Sequence, residues 1–184
     1  MYSDSLTHLT MSWLRSGEKI LFKTRWHEFK KFDFETEAGA QGEYYYLETP
    51  GSVYVLPRDA DGIFLMIHSY RCLPDTMSYE FPGGAVHVGK PPEFAAQEEL
   101  EEEAGVHAES LTHLGTFNPC NGLLQEACHV FLAEDLTAVE RHLEATEHMT
   151  VIKKTEREIE AMITAGEIFD GQTLAAWALY KARK

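Results

Sequence analysis

EFPGGAVHVGKPPEFAAQEELEEEAGV, residues Glu80–Val106, is the stretch that decides the fold of this 184-residue chain. Pro91 and Pro92 predict a helix start, because the first helical positions do not need an N–H group, and Gly105 predicts a left-handed end. The helix between them is expected to have about fourteen residues, which is an ordinary length. Five of the six positions in Glu98–Glu103 are glutamate, and this density of like charge needs an explanation.

An acidic run taken alone is usually a solvated helix face, since like charges cost little in water. Here the spacing favours a binding role, because Glu99, Glu102 and Glu103 lie three and four residues apart and project from one face. The adjoining stripe is apolar: Ala96, Leu100 and Ala104. The glutamates also lie near the helix C-terminus, where the helix dipole disfavours each negative charge by roughly 0.3–1 kcal/mol. A hard cation such as Mg²⁺ or Mn²⁺ would offset that penalty, so we predict a metal-dependent phosphoryl-transfer site.

The whole stretch resembles the signature of the Nudix hydrolases: glycine, five residues, glutamate, seven residues, then Arg-Glu-aliphatic-any-Glu-Glu-any-Gly-aliphatic. The matching positions are Gly84, Glu99, Leu100, Glu102, Glu103, Gly105 and Val106. Two positions differ, with Lys90 in place of the first glutamate and Glu98 in place of the arginine. In the family these two side chains bridge the loop to the helix, so the resemblance predicts an ion pair of reversed polarity. The same exchange leaves open a weakened enzyme.

Outside this stretch, short β-branched and aromatic runs separated by turn residues predict strands. In the first half these are Lys19–Phe22, Glu28–Phe34, Glu43–Glu48, Ser52–Leu56 and Ile63–Ser69, and later Leu111–Phe117 and Ala127–Ala133. Turn residues at 38–42 and 59–62 predict two antiparallel hairpins. Periodicity predicts helices at Thr155–Ala165 and Gln172–Ala182. Irregular alternation of strands and helices indicates an α+β fold, and the resemblance implies a Nudix-type α/β/α sandwich with a mixed sheet.

We divide the chain into residues 1–48 and residues 49–184. The first part is expected to be an N-terminal segment with a small antiparallel sheet that forms a dimer and is not independent. The second part is the expected Nudix hydrolase domain. The aromatic-rich strands from Phe22 to Tyr46 exceed what a small sandwich needs, and they resemble the swapped dimer sheet of the family. A homodimer is therefore predicted.

Charge and cysteine content narrow the partners and the compartment. With 30 acidic and 16 basic residues the formal net charge is −14, which disfavours binding to nucleic acid or to an anionic membrane. Three scattered cysteines predict neither a disulfide framework nor a zinc site. The segment Met1–Arg15 lacks the pattern of a signal peptide, so we expect a cytoplasmic location.

Features around the signature resemble the ADP-ribose pyrophosphatase branch of the family, over about Trp26 to Trp177. They are Thr49–Val53, Tyr70–Arg71 and Glu80–Gly84. The resemblance implies hydrolysis of a nucleoside diphosphate sugar, with ADP-ribose giving AMP and ribose 5-phosphate as the first choice. GDP-mannose or a dinucleotide remains open as the substrate, and a nucleotide-sugar binding module remains open as the function.

The resemblance also assigns substrate contacts. Trp26 and Tyr44 would clamp the adenine, with core or dimer-interface aromatics as the competing interpretation. Arg71 would bind the diphosphate, with a surface salt bridge as the competing interpretation. Glu80 is assigned to the same substrate site. The loop at 118–122, with the glutamine and glutamate at 125 and 126, stands where the branch has a loop near the terminal sugar.

Metal and catalytic roles follow from the same resemblance. Glu99, Glu102 and Glu103 would hold magnesium, with manganese as the alternative, and backbone oxygen at Gly83 would complete the metal shell. Glu103 and Glu147 are the candidate catalytic residues, and Glu147 would orient or deprotonate the attacking water. Glu144 is its rival for that role, and a surface role for either is open.

Overall fold

The computed structural model describes residues 13–143 and 148–184, which fall into two compact units. The first unit is Met1–Thr49 with Gly122–Gln125, and the second is Pro50–Asn121 with Glu126–Lys184. The described strands, in chain order, are β1 (Leu14–Lys23), β2 (Glu28–Glu35), β3 (Gln41–Glu48), β4 (Ser52–Pro57), β5 (Phe64–Arg71), β6 (Thr76–Glu80), β7 (Gly83–Ala85), β8 (Val106–Phe117), β9 (Leu124–Gln125), β10 (Cys128–Ala138) and β11 (Met149–Lys154). The described helices are α1 (Pro92–Glu99), which continues as a π-helical turn at Leu100–Ala104, α2 (Glu156–Ala165) and α3 (Gly171–Ala182). This mixture confirms the predicted α+β class.

The first unit is a sheet with strand order β1-β2-β3-β9. Its first three strands are antiparallel, whereas β9 pairs parallel to β3. The hairpin predicted between β2 and β3 is confirmed, and its turn is closed by hydrogen bonds between Thr36 and Ala40 and between Gly39 and Thr36. Every residue of β1 is exposed.

The second unit contains a mixed sheet, β7-β4-β10-β8, and an antiparallel sheet, β11-β5-β6. In the mixed sheet β4 and β10 are parallel. The hairpin predicted around residues 59–62 is wrong, because β4 and β5 belong to different sheets and share only the bridge between Arg58 and Phe64. Pro57, which has no N–H to donate to a ladder, ends β4 and lets the chain cross between the sheets.

Helices cover the sheets of this unit from two sides, because alternate residues of a strand point to opposite faces. On β4, Val53 and Val55 belong to the core cluster that includes Leu100. The next side chain, Leu56, belongs to the cluster that includes Ile159 of α2 and Trp177 of α3. The predicted apolar stripe is confirmed, since its three residues are buried: Ala96, Leu100 and Ala104. The core of the unit is therefore the expected sandwich, with α1 on one face and the later helices on the other.

Candidate active site

Helix α1 begins where the sequence predicts, but it is not a continuous α-helix. Pro91 is the N-cap and Pro92 the first helical residue. At the other end Gly105 has a φ of 67° and donates its N–H to the carbonyl of Leu100, five residues earlier. The predicted fourteen-residue α-helix is thus wrong in its last turn, which is a π-helical turn with an extra residue. Such turns are frequent at functional sites.

The wider turn places the three signature glutamates in different environments. Glu103 is buried, Glu99 is half-buried and Glu102 is exposed. The single face predicted for them assumes regular α-helical spacing, which the π-helical turn breaks. Glu99 and Glu103 therefore lie inward, while Glu102 lies at the surface.

The backbone of Gly83 and Gly84 fits closely around this turn. Gly83 donates its N–H to Oε2 of Glu103 at 2.8 Å. At Gly84 an added Cβ would lie 1.8 Å from Oε1 of Glu99, and at Gly83 it would lie 2.4 Å from the carbonyl oxygen of Val53. A side chain at Gly83 would meet backbone that cannot move easily, so close approach requires glycine there, whereas a side chain at Gly84 would displace the flexible end of Glu99.

The oxygen atoms available at this site fit a hard divalent cation, because they are carboxylate oxygens that lie next to the backbone of strand β7. Among residues 13–143 and 148–184, no three His, Cys, Asp or Glu side chains are gathered closely enough to hold a metal ion as they stand. Each of Glu99, Glu102 and Glu103 already interacts with other groups. Metal binding would therefore require at least one of these side chains to rotate toward the others.

The ion pair predicted between Lys90 and Glu98 is wrong. Glu98 pairs instead with His87, whose Nε2 lies 2.6 Å from Oε2. The ammonium group of Lys90 lies 4.7 Å from the ring centroid of Phe94, a cation–π contact. The ammonium group of Lys90 thus lies over the first turn of α1 and not at Glu98. The bridge from loop to helix is kept, but a histidine makes it.

Arg71 and Glu80 form a two-point ion pair, with Nε of Arg71 2.9 Å from Oε1 of Glu80 and a terminal nitrogen on the other oxygen. The side chain of Glu80 is 3% exposed and that of Arg71 is 44% exposed. The pairing raises the pKa of Arg71, mainly through the hydrogen bond to Glu80. The salt bridge held open for Arg71 exists, but its partner is buried. The exposed side of the guanidinium keeps donors for an anion.

A cleft of about 600 Å³ joins these groups within the second unit. Its lining includes Arg71 and Glu80 from the sheet β11-β5-β6 and Gly83 and Gly84 from β7, the strand on which Glu99 and Glu103 pack. The remaining lining residues are Ser52, Tyr54, Cys72, Leu73, Pro74, Ser78, Glu126, Phe169, Asp170, Gly171 and Gln172. Arg71 and the two glycines against which the acidic turn packs thus line one opening, whereas the glutamates of the turn are not among its lining residues.

Two ionisable groups of the cleft were not found from the sequence. Burial raises the pKa of Tyr54 well above its usual value, and the charge of Asp170 adds to the shift. Burial also raises the pKa of Asp170, which caps α3 by accepting a hydrogen bond from the N–H of Thr173 at 2.7 Å. An aspartate just before an apolar helical run is an N-cap signal, so Asp170 was detectable as a cap, although not as a cleft residue.

Trp26 and Tyr44 belong to the first unit, and the structure places them in different settings. Trp26 is exposed in the β1–β2 turn, with the guanidinium of Arg25 4.2 Å from its ring centroid. Tyr44 stacks on Phe32 with a centroid distance of 5.4 Å and donates its hydroxyl hydrogen to the carbonyl of Gly122 at 2.7 Å. Tyr44 is thus held by contacts within its own unit, and the ring of Trp26 is exposed.

Two regions of the predicted site remain. Glu144 and Glu147 lie outside the described residues. Of the loop proposed near a terminal sugar, Glu126 lines the cleft, and its Oε1 accepts a hydrogen bond from Ser52 at 2.5 Å. Asn118 donates to the carbonyl of Glu126 at 2.6 Å, which holds that side of the loop in place.

Comparison with known protein families matches the NUDIX domain to residues 48–175. The chain belongs to the Nudix family. The match extends well beyond the signature, so the two departures in it do not remove the chain from the family. Members of this family generally use divalent metal ions.

Proteins of similar sequence are consistent with membership of the Nudix family. A CMP-5′-(N-acetyl-N-hydroxy-3-aminopropyl)phosphonate hydrolase from Streptomyces rubellomurinus is 30% identical over 137 residues, which cover 74% of this chain and 66% of that protein. An ADP-ribose pyrophosphatase from Bacillus subtilis is 32% identical over 146 residues, covering 78% of this chain and 79% of that protein. The predicted resemblance to the ADP-ribose pyrophosphatase branch is confirmed, and the chain is a Nudix pyrophosphohydrolase.

A solved structure supports the fold. It is described as an ADP compounds hydrolase, aligns with a TM-score of 0.81, covers 92% of each chain and is 18% identical in sequence. At that identity the likeness shows the Nudix fold alone. None of the helices in residues 13–143 and 148–184 is long and apolar enough to cross a membrane.

Proposed function

We propose that this Nudix protein hydrolyses the diphosphate of a nucleoside diphosphate sugar, with ADP-ribose, giving AMP and ribose 5-phosphate, as the first candidate. One observation carries the proposal. Glu99 and Glu103 pack on Gly83 and Gly84, and these glycines line the same cleft as Arg71. A basic group for phosphate and the two glycines against which the acidic turn packs thus line one opening of about 600 Å³, a size suited to a small ligand.

The metal ligands we propose are Glu99, Glu102, Glu103 and the carbonyl of Gly83, with Mg²⁺ as the ion and Mn²⁺ as the alternative. A bound divalent cation neutralises diphosphate charge and lowers the pKa of a bound water. Glu103 is also proposed as catalytic, since its buried carboxylate is fixed by the Gly83 N–H. Fixed geometry of this kind lowers the cost of reaching the transition state.

In the proposed reaction the oxygen of a water forms a bond to one phosphorus, and the bond from that phosphorus to the bridging oxygen breaks. The water proton passes to Glu147, or to Glu144 as its rival, and the leaving phosphate carries the electron pair. Arg71 would hold the phosphates, with Glu80 fixing its orientation. Positioning and charge stabilisation are what phosphoryl transfer needs most.

Adenine binding is proposed for Trp26, whose ring is exposed, with Tyr44 as the second member of the clamp. Aromatic side chains supply large contact area to a flat base. The nucleoside itself needs testing, because a CMP-linked phosphonate is named as the substrate of one relative. GDP-mannose and a dinucleotide belong in the same substrate panel.

A homodimer formed through residues 1–48 is part of the proposal. Every residue of β1 is exposed, and several of these residues are large and apolar: Leu14, Ile20, Leu21 and Phe22. A run of exposed apolar side chains such as Ile20–Phe22 is typical of an interaction surface. Light scattering at micromolar concentration should give twice the chain mass, and a monomer would contradict the dimer.

We propose a cytoplasmic location, and the described cysteines are free thiols.

The metal assignment is tested by Glu102→Gln at saturating magnesium, with Glu101→Gln as the matched control. Glu101 interacts with His107 and Gln97 on the other side of the turn, so its replacement should leave turnover unchanged. Turnover of Glu102→Gln should fall at least about 100-fold. Intact turnover would contradict the assignment, and tight nucleotide-sugar binding without any metal-dependent product would favour a binding module.

A further inference from the structure

Two histidines lie side by side on the mixed sheet, and the proposed hydrolysis uses neither of them. His113 belongs to β8 and His129 to β10. Their ring centroids are 5.8 Å apart. His113 is exposed and His129 is half-buried, and neither residue lines the cleft that holds Arg71. The pair is therefore a second cluster of ionisable groups, accessible from solvent.

An irregularity in the pairing of β8 with β10 brings the side chains together. His129 pairs with Thr116, and Phe131 pairs with His113. His113 and Thr116 are three residues apart, so in a regular strand their side chains would point to opposite faces. The register shifts between Val130 and Phe131, and Thr116 instead contacts His113. A bulge of this kind re-aims a side chain.

One nitrogen of each ring faces the same point. Oγ1 of Thr116 lies 3.2 Å from Nε2 of His113 and 3.2 Å from Nδ1 of His129. A hydroxyl has one hydrogen, so it can donate to only one of these nitrogens. Because a neutral imidazole can carry its proton on either nitrogen, both rings can present an unprotonated nitrogen at this point. Two such nitrogens are suitable ligands for one metal ion.

The distance between the rings is close to that of a metal chelate. A zinc ion about 2.0–2.1 Å from each nitrogen would lie about 3.2 Å from each ring centre, and at a tetrahedral angle of about 109° the centres would be about 5 Å apart. The observed separation is 5.8 Å, so the rings need to approach by less than about 1 Å. The hydroxyl of Thr116 can leave the point by rotation to another side-chain rotamer.

The type of ligand selects the type of ion. Imidazole nitrogen suits Zn²⁺, Cu²⁺ and Ni²⁺, whereas Mg²⁺ prefers oxygen. Within residues 13–143 and 148–184 no group of three His, Cys, Asp or Glu residues is arranged to hold a metal ion, so water would complete the coordination of an ion held by the pair.

The protonation of His129 is compatible with metal binding. Burial lowers the pKa of His129, and the neighbouring charge of His113 lowers it further. The charge of Glu93, in the first turn of α1, acts in the opposite direction, but the net shift is downward. A lower pKa keeps the ring neutral, and a histidine must be neutral to bind a metal ion.

We propose that His113 and His129 form a binding site for one divalent transition-metal ion, of which Zn²⁺ is the representative. The site is distinct from the acidic turn and takes a different class of ion. A bound ion joins β8 to β10 within the sheet on which α1 packs. An ion that binds only the folded chain stabilises it.

The first test measures zinc binding to the unaltered chain and to His113→Gln, His129→Gln and His27→Gln, with magnesium at saturation to occupy the acidic turn. His27 lies between β1 and β2 of the first unit and supplies the control. The exposed cysteines, Cys72 and Cys120, are alkylated beforehand, because thiolates also bind zinc. The dissociation constant is obtained by competition with a chromophoric chelator.

Loss of either histidine of the pair should weaken zinc binding at least about tenfold, since loss of even a supporting partner costs a metal site roughly 10–100-fold. Zinc should raise the melting temperature of the unaltered chain and of His27→Gln, and raise it less in the other two variants. An unchanged dissociation constant in His113→Gln or in His129→Gln would overturn the site.

A second measurement does not depend on the folding of any variant. The ring nitrogens of the unaltered chain are followed by ¹⁵N NMR while zinc is added. One equivalent of zinc should shift Nε2 of His113 and Nδ1 of His129, whereas magnesium should shift neither. If zinc shifts neither nitrogen, the proposal is wrong. No substrate is present, so this result is independent of whether the chain hydrolyses a nucleotide sugar.

Discussion

Gly84→Ala is the sharpest structural test of the acidic turn. The new Cβ would start 1.8 Å from Oε1 and 2.5 Å from Cδ of Glu99. Ordinary contact begins near 3.4 Å, so the carboxylate must retreat by about 1.6 Å. Glu99 is half-buried and its side chain is flexible, so it can move without unfolding the protein.

A displacement of this size is large for catalysis and small for stability. Misplacement by about 1 Å can cost roughly 10²-fold in rate, so kcat/KM for ADP-ribose should fall about 100-fold. The free energy of unfolding should change by less than about 1 kcal/mol, because Gly84 is not in the left-handed region and only one side-chain end must shift.

Gly62→Ala supplies the crossed control. Gly62 has a φ of 79° with no atom within 4 Å of an added Cβ, so alanine there is strained but meets no neighbour. It should lose about 1 kcal/mol of stability and keep full activity. Urea unfolding and steady-state kinetics on both variants decide the matter. Full activity in Gly84→Ala would refute the inference that Glu99 must lie against this backbone.

Three further outcomes follow from the described contacts. Arg71→Met should lower the free energy of unfolding, measured in urea, by roughly 2 kcal/mol. This is below the roughly 3–5 kcal/mol of a fully buried pair because the arginine is 44% exposed. Glu80→Gln should cost less than Arg71→Met, and a larger loss would contradict this interpretation. Burial raises the pKa of Cys128 to about 11, so a thiol reagent at about pH 8 should label the two exposed cysteines quickly and Cys128 only after unfolding. The hydrogen bond from the N–H of Thr155 lowers the pKa of Glu158 below 4.5. The contribution of this carboxylate to stability is therefore present above pH 4.5 and is lost as the pH falls through the folded-state pKa. Glu158→Gln should flatten that part of the plot of melting temperature against pH, and an unchanged plot would argue against this role.

The spacing of apolar side chains in the sequence predicted those elements in which the buried residues follow the same spacing. The spacing of Ala96, Leu100 and Ala104 predicted the buried stripe of α1, and all three are buried. Strands β6 and β7 were missed, because Thr76–Glu80 lacks a clear β-branched run and Gly83–Ala85 has almost no side chains. Both are strands through backbone pairing with β5 and β4, which propensity does not encode.

In the candidate site, too, the sequence predicted some residues and missed those that only the fold brings together. The glutamates were proposed from a fixed spacing and Arg71 from the resemblance to the branch, and the left-handed Gly105 was predicted from its residue type. The replacement of Lys90 by His87 as partner of Glu98 was not predictable, since it depends on where a loop places two side chains. Ser78 and Asp170 carry no sequence signal for the cleft, because they line it together only in the folded chain.

The most direct test of the central claim is to incubate the purified protein with ADP-ribose and magnesium, with and without a chelator, and to measure AMP by chromatography. The account predicts AMP and ribose 5-phosphate in equal amounts, abolished by the chelator. No AMP from ADP-ribose, and no nucleoside monophosphate from GDP-mannose, a dinucleotide or a CMP conjugate, would contradict it and favour a binding module.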